Sequence, residues 1–130
     1  MATKPARPPS PAFLRRAAVG RAGEAATLRR YERDGFRLLA RNWRCVAGEL
    51  DLVVVRGRTV VFCEVKTRTG VALGGGYEAV GWRKQAKLRQ LAELFLSSRR
   101  LDPAEVRFDV ASVLVPPRGA PVVELFDDAF

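Results

Sequence analysis

Two strand-like stretches decide the fold of this chain: GELDLVVV at residues 48–55 and VVFCEVKTR at residues 60–68. Asp51, Glu64 and Lys66 interrupt runs of Leu, Val, Phe and Cys that are otherwise typical of the interior of a sheet. A buried charge is strongly unfavourable unless it is paired or bound to a metal. The pattern therefore predicts two paired strands that carry a metal site suited to phosphate chemistry.

The turn between the two stretches, RGRT at 56–59, contains a glycine suited to a tight hairpin. A two-residue loop at 57–58 places Asp51 directly opposite Glu64, with Cβ atoms roughly 5 Å apart. Two carboxylates at that distance repel each other unless a proton or a cation lies between them. Mg²⁺ prefers oxygen ligands and often takes one or two carboxylates together with water and substrate phosphate. We therefore predict a Mg²⁺ site at Asp51 and Glu64, with Mn²⁺ as an alternative ion.

These residues resemble the signature of the PD-(D/E)XK nuclease superfamily, an acidic residue on one strand followed by (D/E)-x-K on the next. Asp51 and Glu64-Val65-Lys66 match it, and Leu50 stands in place of the superfamily's proline, as in its resolvase-like branch. More closely, G-E-L-D-L and V-F-C-E-V-K-T-R are similar to the YraN family of bacterial proteins, related to archaeal Holliday-junction resolvases. That family also carries a helical glutamate in a G-x-x-x-E setting, matched at 20–24. The resemblance covers about residues 17–115.

The resemblance implies a metal-dependent endonuclease-like protein that hydrolyses DNA phosphodiester bonds, with branched or junction DNA as one substrate class. It implies that Asp51, Glu64 and Glu24 hold the metal. Lys66 completes the catalytic set by orienting the attacking water, acting as a base or stabilising charge on phosphorus. Resolvase-like relatives are dimers, which makes a homodimer an expectation here.

Other interpretations of the same residues stay open. Lys66 and Glu64 can form a structural salt bridge, and Glu24 can be a solvent-facing residue paired with Arg21 or Arg29. At the level of function, the alternatives are a non-catalytic nucleic-acid-binding module on the same fold and a basic RNA- or ribosome-associated protein.

The charge of the chain favours a nucleic-acid partner. The formal net charge is +9, and residues 1–47 hold eleven basic but only three acidic side chains. Arginine dominates, which suits bidentate contact with phosphate. Solvated surface charge is the alternative explanation. Trp43 and Trp82 either stack on bases or pack in the core or at its rim. The candidate phosphate contacts are Lys84, Lys87, Arg41, Arg44 and Arg68.

Residue types that are absent or isolated exclude several classes of function. The chain has no histidine, which excludes HNH-type nucleases, His-ligated zinc enzymes, Ser-His-Asp hydrolases and Cys-His proteases. Cys45 and Cys63 lack C-x-x-C spacing and are interpreted as free thiols. No apolar run approaches the ~20 residues of a membrane helix, and the first residues lack a signal-peptide pattern. We therefore expect a cytoplasmic protein without a membrane partner.

The fold class predicted is α/β, a three-layer sandwich with a central mixed β-sheet, which agrees with the restriction-endonuclease-like fold that the resemblance implies. Residues 1–11 are predicted to be a disordered, basic, Pro-rich leader and residues 12–130 a single domain. Residues 69–79 are interpreted as a glycine-rich loop over the site. The second helix is expected to turn Ala86, Leu88, Leu91, Ala92 and Phe95 inward. The element order is α-β-β-β-α-β with an optional last strand: helix 13–34, strand 37–43, the two stretches above, helix 80–99, strand 106–115 and an edge strand 122–126.

Overall fold

The computed structural model describes residues 6–70 and 80–130. The predicted element order is confirmed, including the optional last strand. Residues 71–79, most of the loop predicted over the site, lie outside the described residues. The elements are α1 (Pro11–Arg33), β1 (Arg37–Cys45), β2 (Gly48–Arg56), β3 (Thr59–Thr69), α2 (Trp82–Ser98), β4 (Glu105–Val115) and β5 (Val122–Phe126).

The five strands form one mixed sheet in the order β1-β2-β3-β4-β5. β1, β2 and β3 make an antiparallel meander, β3 and β4 pair in parallel, and β4 and β5 pair antiparallel. The parallel pair is connected through α2, as expected for a strand-helix-strand unit. β3 is therefore the central strand, paired antiparallel on one side and parallel on the other.

The two faces of the sheet bury separate hydrophobic clusters, one beneath each helix. Phe95 of α2 packs with Val53 and Phe62 on one face. Tyr31 of α1 packs with Val54 and Val61 on the other. Because the inward side chains of β2 and β3 alternate between these clusters, helix, sheet and helix form the three layers predicted.

The prediction for the inward face of α2 is correct at four positions and wrong at Ala86. Leu88, Leu91, Ala92 and Phe95 are buried, whereas Ala86 is exposed. Those four residues follow the i, i+3, i+4, i+7 spacing of one helix face. Ala86 comes two residues before Leu88, about 200° around the helix, and so lies off that face.

Helix α1 begins at Pro11, two residues before the predicted start and inside the stretch predicted as a leader. The Ser10 hydroxyl caps it by accepting a hydrogen bond from the Phe13 N–H at 3.1 Å. Ser at the N-cap followed by Pro in the first turn is a strong helix start. Residues 6–10 have no regular secondary structure.

At Gly23 the backbone of α1 packs directly against the Thr67 side chain of β3. A Cβ atom at this position would overlap the Thr67 Oγ1 and lie 2.9 Å from the Thr67 Cβ. Only glycine allows the helix to approach so closely. The contact fixes the height of Glu24, the next residue, above the sheet.

A buried polar network joins α1 to β4 and to the end of the chain. The Asp109 carboxylate is fully buried. It accepts hydrogen bonds from the Tyr31 hydroxyl at 2.5 Å and from the Arg107 guanidinium and the Asp128 N–H at 2.9 Å. Burial, together with the neighbouring Cys63 and Asp109, raises the pKa of Tyr31. With four donors and a paired arginine, Asp109 is a structural residue.

Neither helix of the part described here is both long enough and apolar enough to cross a bilayer.

Candidate metal and nucleic-acid site

The candidate site lies where β2 and β3 stop pairing. From the turn at 57–58 the ladder follows the predicted register as far as the pair Leu52–Cys63, where it ends. Asp51 and Glu64 are the next residue on each strand. The two acids therefore stand at the point where the hairpin opens.

The alternation of side chains along β2 breaks at Asp51. Leu50 packs in the cluster beneath α2, whereas Leu52 packs in the cluster beneath α1. Residues two apart on a regular strand share a face, so the backbone turns between them. The Asp51 Oδ2 accepts a hydrogen bond from the Val65 N–H at 2.9 Å. The carboxylate thus reaches across to β3 and takes the place of a ladder hydrogen bond.

Burial and neighbouring charge raise the pKa of Asp51 from 3.8 to about 7. Burial is the largest cause. The carboxylates of Glu64, Glu24 and Glu49 add to it, against the lowering effect of the Val65 N–H. Three acidic side chains are thus close enough to disfavour the ionised form of Asp51, and such clusters are candidate cation sites.

Apolar side chains close the site toward the core. Leu50, Phe62 and Leu88 line a cavity of about 10 Å³ beside Asp51 and Glu64. That volume is at the lower limit for a single water molecule. These apolar side chains exclude water from Asp51, and the loss of hydration is the largest cause of its raised pKa.

Glu64 is neutralised by a lysine from α2. The Lys84 Nζ lies 2.6 Å from the Glu64 Oε1, and the side chains are 52% and 12% exposed respectively. Lys84, expected to contact phosphate, is thus the ion-pair partner of a candidate metal ligand. The structural salt bridge considered for Glu64 had Lys66 as its cation, whereas the ion pair described at Glu64 is with Lys84.

Glu24 faces β1 rather than solvent. Its carboxylate accepts a hydrogen bond from the Asn42 Nδ2 at 2.8 Å and lies 4.0 Å from the Arg41 Nη2. Its side chain is 13% exposed, so the alternative of a solvent-facing residue paired with Arg21 or Arg29 is wrong. Asn42 has a φ of 49°, a left-handed conformation that asparagine adopts more readily than most residues.

The remaining candidates occupy different surroundings. Lys66 follows Glu64 by two residues on β3 and is half-buried, on the same face by strand alternation. Arg44 lies 3.3 Å from Glu49 in an exposed ion pair at the edge of the sheet. Lys87 and Arg68 are exposed. Glu64 and Glu24 thus act electrostatically on Asp51, Lys84 is paired with Glu64, and Arg44 is engaged with Glu49 at the edge of the sheet.

The two tryptophans differ in their surroundings. Trp43 packs edge-on against Phe95, with ring centroids 5.4 Å apart, so core packing is correct for Trp43. Trp82 is 73% exposed at the start of α2, two residues before Lys84. Trp82 therefore does not pack in the core; the Arg83 guanidinium lies 5.2 Å from the centroid of its ring, and stacking on bases stays a prediction.

The donor chemistry of the site fits a hard divalent cation, because its acids offer only oxygen ligands. Their arrangement is less complete: across residues 6–70 and 80–130, no three His, Cys, Asp or Glu side chains are positioned together to hold a metal ion. The contacts of Glu64 with Lys84 and of Glu24 with Asn42 account for this. Binding of one cation by all three acids requires Glu64 to exchange its contact with Lys84, and Glu24 its contact with Asn42, for contacts with the cation.

Sequence reasoning missed the roles of Asn42 and Lys84 in the site. An asparagine within a strand is unfavourable unless its side chain has a task, which was the available signal for Asn42. Lys84 carried no comparable signal, because its partner is twenty residues away on another element.

Comparison with known proteins places the chain among uncharacterised bacterial proteins. The model of "Uncharacterised protein family UPF0102", which is the YraN family, matches residues 23–113. A UPF0102 protein of Parafrankia sp. (strain EAN1pec) is 47% identical over 112 residues, covering 86% of this chain and 95% of the relative. One of Frankia alni is 48% identical over 113 residues, covering 87% and 94%. One of Stutzerimonas stutzeri (strain A1501) is 48% identical over 98 residues, covering 75% and 82%.

Proposed function

Because the chain belongs to the uncharacterised protein family UPF0102, whose name states no activity, we propose a function from its own residues: a Mg²⁺- or Mn²⁺-dependent endonuclease-like protein that hydrolyses DNA phosphodiester bonds. Branched or junction DNA is included as a substrate through the resolvase resemblance. The proposal places the protein in the cytoplasm, and cutting both strands calls for a homodimer.

The observation that carries the proposal is the position of Asp51: it lies beside Glu64 where β2 and β3 stop pairing, partly buried and bonded to the Val65 N–H. Its pKa is raised to about 7, with burial as the main cause and three nearby carboxylates adding to it. A structural role alone would be served better by an apolar or amide side chain at this position. A divalent cation stabilises the ionised carboxylate and removes the repulsion from Glu64 and Glu24.

Each residue has a defined task in this proposal. Asp51, Glu64 and Glu24 would hold the cation, which when bound supplies Lewis-acid stabilisation of charge on the phosphoryl group. Lys66, on the same face as Glu64, orients the attacking water or stabilises negative charge as the phosphodiester is cleaved. Lys84, once released from Glu64, becomes a phosphate contact. The exposed Lys87 and Arg68, with Arg41 and Arg44 of β1, supply further contacts to the backbone of DNA.

A second candidate function is a nucleic-acid-binding module without catalysis. The 2.6 Å ion pair between Lys84 and Glu64 favours it, because a protein ammonium group already neutralises one of the acids. The absence of a preassembled three-ligand group in the described ranges points the same way. Against it stands Asp51, whose partly buried carboxylate lies close to three other carboxylates.

The proposal is tested by a nicking assay with Mg²⁺ or Mn²⁺ that compares the wild type with Asp51→Asn. Asn preserves the acceptor for the Val65 N–H but removes the charge. Glu105→Gln is the matched control, since Glu105 is exposed and pairs with Thr59 at the opposite end of β3 from the site. We expect cleavage by the wild type and the control, and its loss in Asp51→Asn.

The substrate panel should contain linear duplex, single strand, flap and four-way junction, since the preferred DNA structure decides between a general and a junction-directed nuclease. If the wild type binds these substrates but cleaves none of them with either ion, the binding module is the correct function. Cleavage that is equal in wild type and Asp51→Asn would show that the activity arises elsewhere or from a contaminant.

A further inference from the structure

The first half of α1 forms one wall of a groove at the end of β3. Arg15, Arg16 and Val19 line it on the helix side, and Thr67, Arg68 and Thr69 line it on the strand side. The groove has a volume of about 830 Å³. It begins beyond Gly23, where the helix contacts the sheet, and opens toward the start of α1.

The groove adjoins the Glu24 end of the candidate site, on the α1 side of the sheet. Its strand wall begins at Thr67, whose side chain contacts Gly23 of α1 and so lies on the other face of β3 from Lys66. Its helix wall ends at Gly20, about one turn before Glu24. At 1.5 Å per residue, Arg16 lies about 12 Å along α1 from Glu24, and one strand of DNA advances ~3.4 Å along the duplex axis per nucleotide. The two arginines therefore lie about three to four nucleotides from the Glu24 end of the candidate site.

The charged groups of the groove are cationic, and those on α1 face solvent. Arg15 and Arg16 are exposed. Among the residues described, neither has an acidic partner, and the described lining contains no acid. By contrast, Lys84, Arg41 and Arg44 are engaged with acids. Arg15 and Arg16 thus need not break an ion pair to contact phosphate.

We propose that this groove binds the sugar–phosphate backbone of the DNA strand that continues from the candidate site, with Arg15 and Arg16 contacting its phosphates. Arginine suits this task because its planar fork donates two hydrogen bonds to one phosphate. Thr67 and Thr69 provide hydroxyl groups on the opposite wall. The inference rests on the proposed function, because it takes DNA as the ligand and the candidate site as the starting point of the strand.

The test compares Arg15→Ala/Arg16→Ala with Arg29→Ala/Arg33→Ala. Both double variants remove two positive charges from exposed positions of α1, but Arg29 and Arg33 lie outside the groove. Binding to a fluorescent duplex and a fluorescent four-way junction is followed by anisotropy in EDTA, so that affinity is measured without cleavage. Circular dichroism and thermal melting verify that each variant is folded.

We expect Arg15→Ala/Arg16→Ala to weaken binding by about tenfold near 0.1 M salt. The slope of log K against log salt should fall by about 0.9 for each phosphate that the variant no longer neutralises. The control is expected to stay within about twofold of the wild type, since long-range effects of exposed charges are screened.

Equal affinities of the two double variants would contradict DNA binding in the groove. The proposed nuclease function would be unaffected, because the loss of cleavage in Asp51→Asn tests it separately. If the wild type binds DNA through Arg15 and Arg16 but never cleaves it, DNA binding in the groove is supported and the nuclease function is rejected. A wild type that binds no DNA rejects both. If Arg15→Ala/Arg16→Ala changes the sedimentation coefficient but not DNA affinity, the groove holds a second copy of the chain instead.

Discussion

The ammonium group of Lys84 lies 2.6 Å from the carboxylate of Glu64 and neutralises one of the acids proposed to bind a metal. Lys84 comes from α2, whereas Asp51 and Glu64 come from the hairpin of β2 and β3. A divalent cation that binds Glu64 must therefore compete with a side chain of another layer. Because the lysine side chain is half exposed, the free energy of its ion pair with Glu64 is modest.

Replacing Lys84 should strengthen the binding of the cation. Lys84→Met removes the competing charge while keeping the aliphatic stem, and exposed ion pairs contribute up to ~1 kcal/mol. We therefore expect the affinity for Mg²⁺ or Mn²⁺ to rise by up to about fivefold, measured by isothermal titration calorimetry. Lys87→Met, one turn further along the same helix, is the control and should leave the affinity unchanged. A decrease in affinity for Lys84→Met would show that the lysine supports the cation site instead of competing with it.

The stability of the protein should depend on pH through Asp51. Its pKa is about 7 in the folded protein and 3.8 without the effects of folding, so the folded state holds a proton that the unfolded state has lost. The free energy of unfolding should therefore fall as pH rises from about 4 to about 7, by up to ~1.4 kcal/mol per pH unit. Below that window the unfavourable contribution is absent, and above it the full loss of stability is present.

Urea denaturation at about pH 4.5 and about pH 7.5 measures this effect. Other acids also titrate over this range, so the quantity of interest is the difference between wild type and Asp51→Asn, which lacks the titrating group. The wild type should lose more stability than the variant on going to the higher pH. Saturating Mg²⁺ at the higher pH should restore stability to the wild type alone. Parallel pH profiles for the two proteins would contradict the raised pKa.

Gly23→Ala should separate α1 from β3. The new Cβ would lie 2.9 Å from the Thr67 Cβ, a clash that rotation of the threonine side chain cannot remove. The helix must shift, at a cost of about 1–3 kcal/mol, and Glu24 moves with it. Gly20→Ala is the control, because nothing lies within 4 Å of its added Cβ. That change should stabilise the protein by up to ~1 kcal/mol. Thermal melting that ranks the two variants in the opposite order would refute the close contact.

Tyr31→Phe should reduce stability without affecting the candidate site. It removes the hydroxyl that donates to Asp109, which keeps its donors from Arg107 and Asp128. A hydrogen bond to a buried charged group is worth about 1.5–3 kcal/mol, so the melting temperature should drop by several degrees. The affinities for DNA and for divalent cations should equal those of the wild type. A selective loss of either affinity would assign Asp109 to the functional site.

Patterns that repeat along the chain were predictable, because period and turn chemistry are local. The loop at 57–58 and the pairing that follows from it were correct up to Leu52–Cys63. The burial of Leu88, Leu91 and Phe95 follows from helical spacing. Ala86 was misplaced because an alanine gives no indication of which face it occupies.

The candidate site itself was only partly predictable, because its geometry depends on contacts between elements. The sequence brought Asp51 and Glu64 to the same end of one hairpin. It did not indicate the turn of the backbone at Asp51, which places Leu50 and Leu52 in opposite clusters. It also gave no means of aligning α2 with β3, and hence no means of pairing Lys84 with Glu64.

The short loop of the β2–β3 hairpin has a consequence for how the chain is made. Asp51 and Val65 are 14 residues apart in sequence, so their contact closes at little entropic cost. Both emerge from the ribosome before Lys84, which can reach Glu64 only after α2 has been synthesised. A nascent chain can therefore close the contact between Asp51 and Val65 before the ammonium group that pairs with Glu64 has been synthesised.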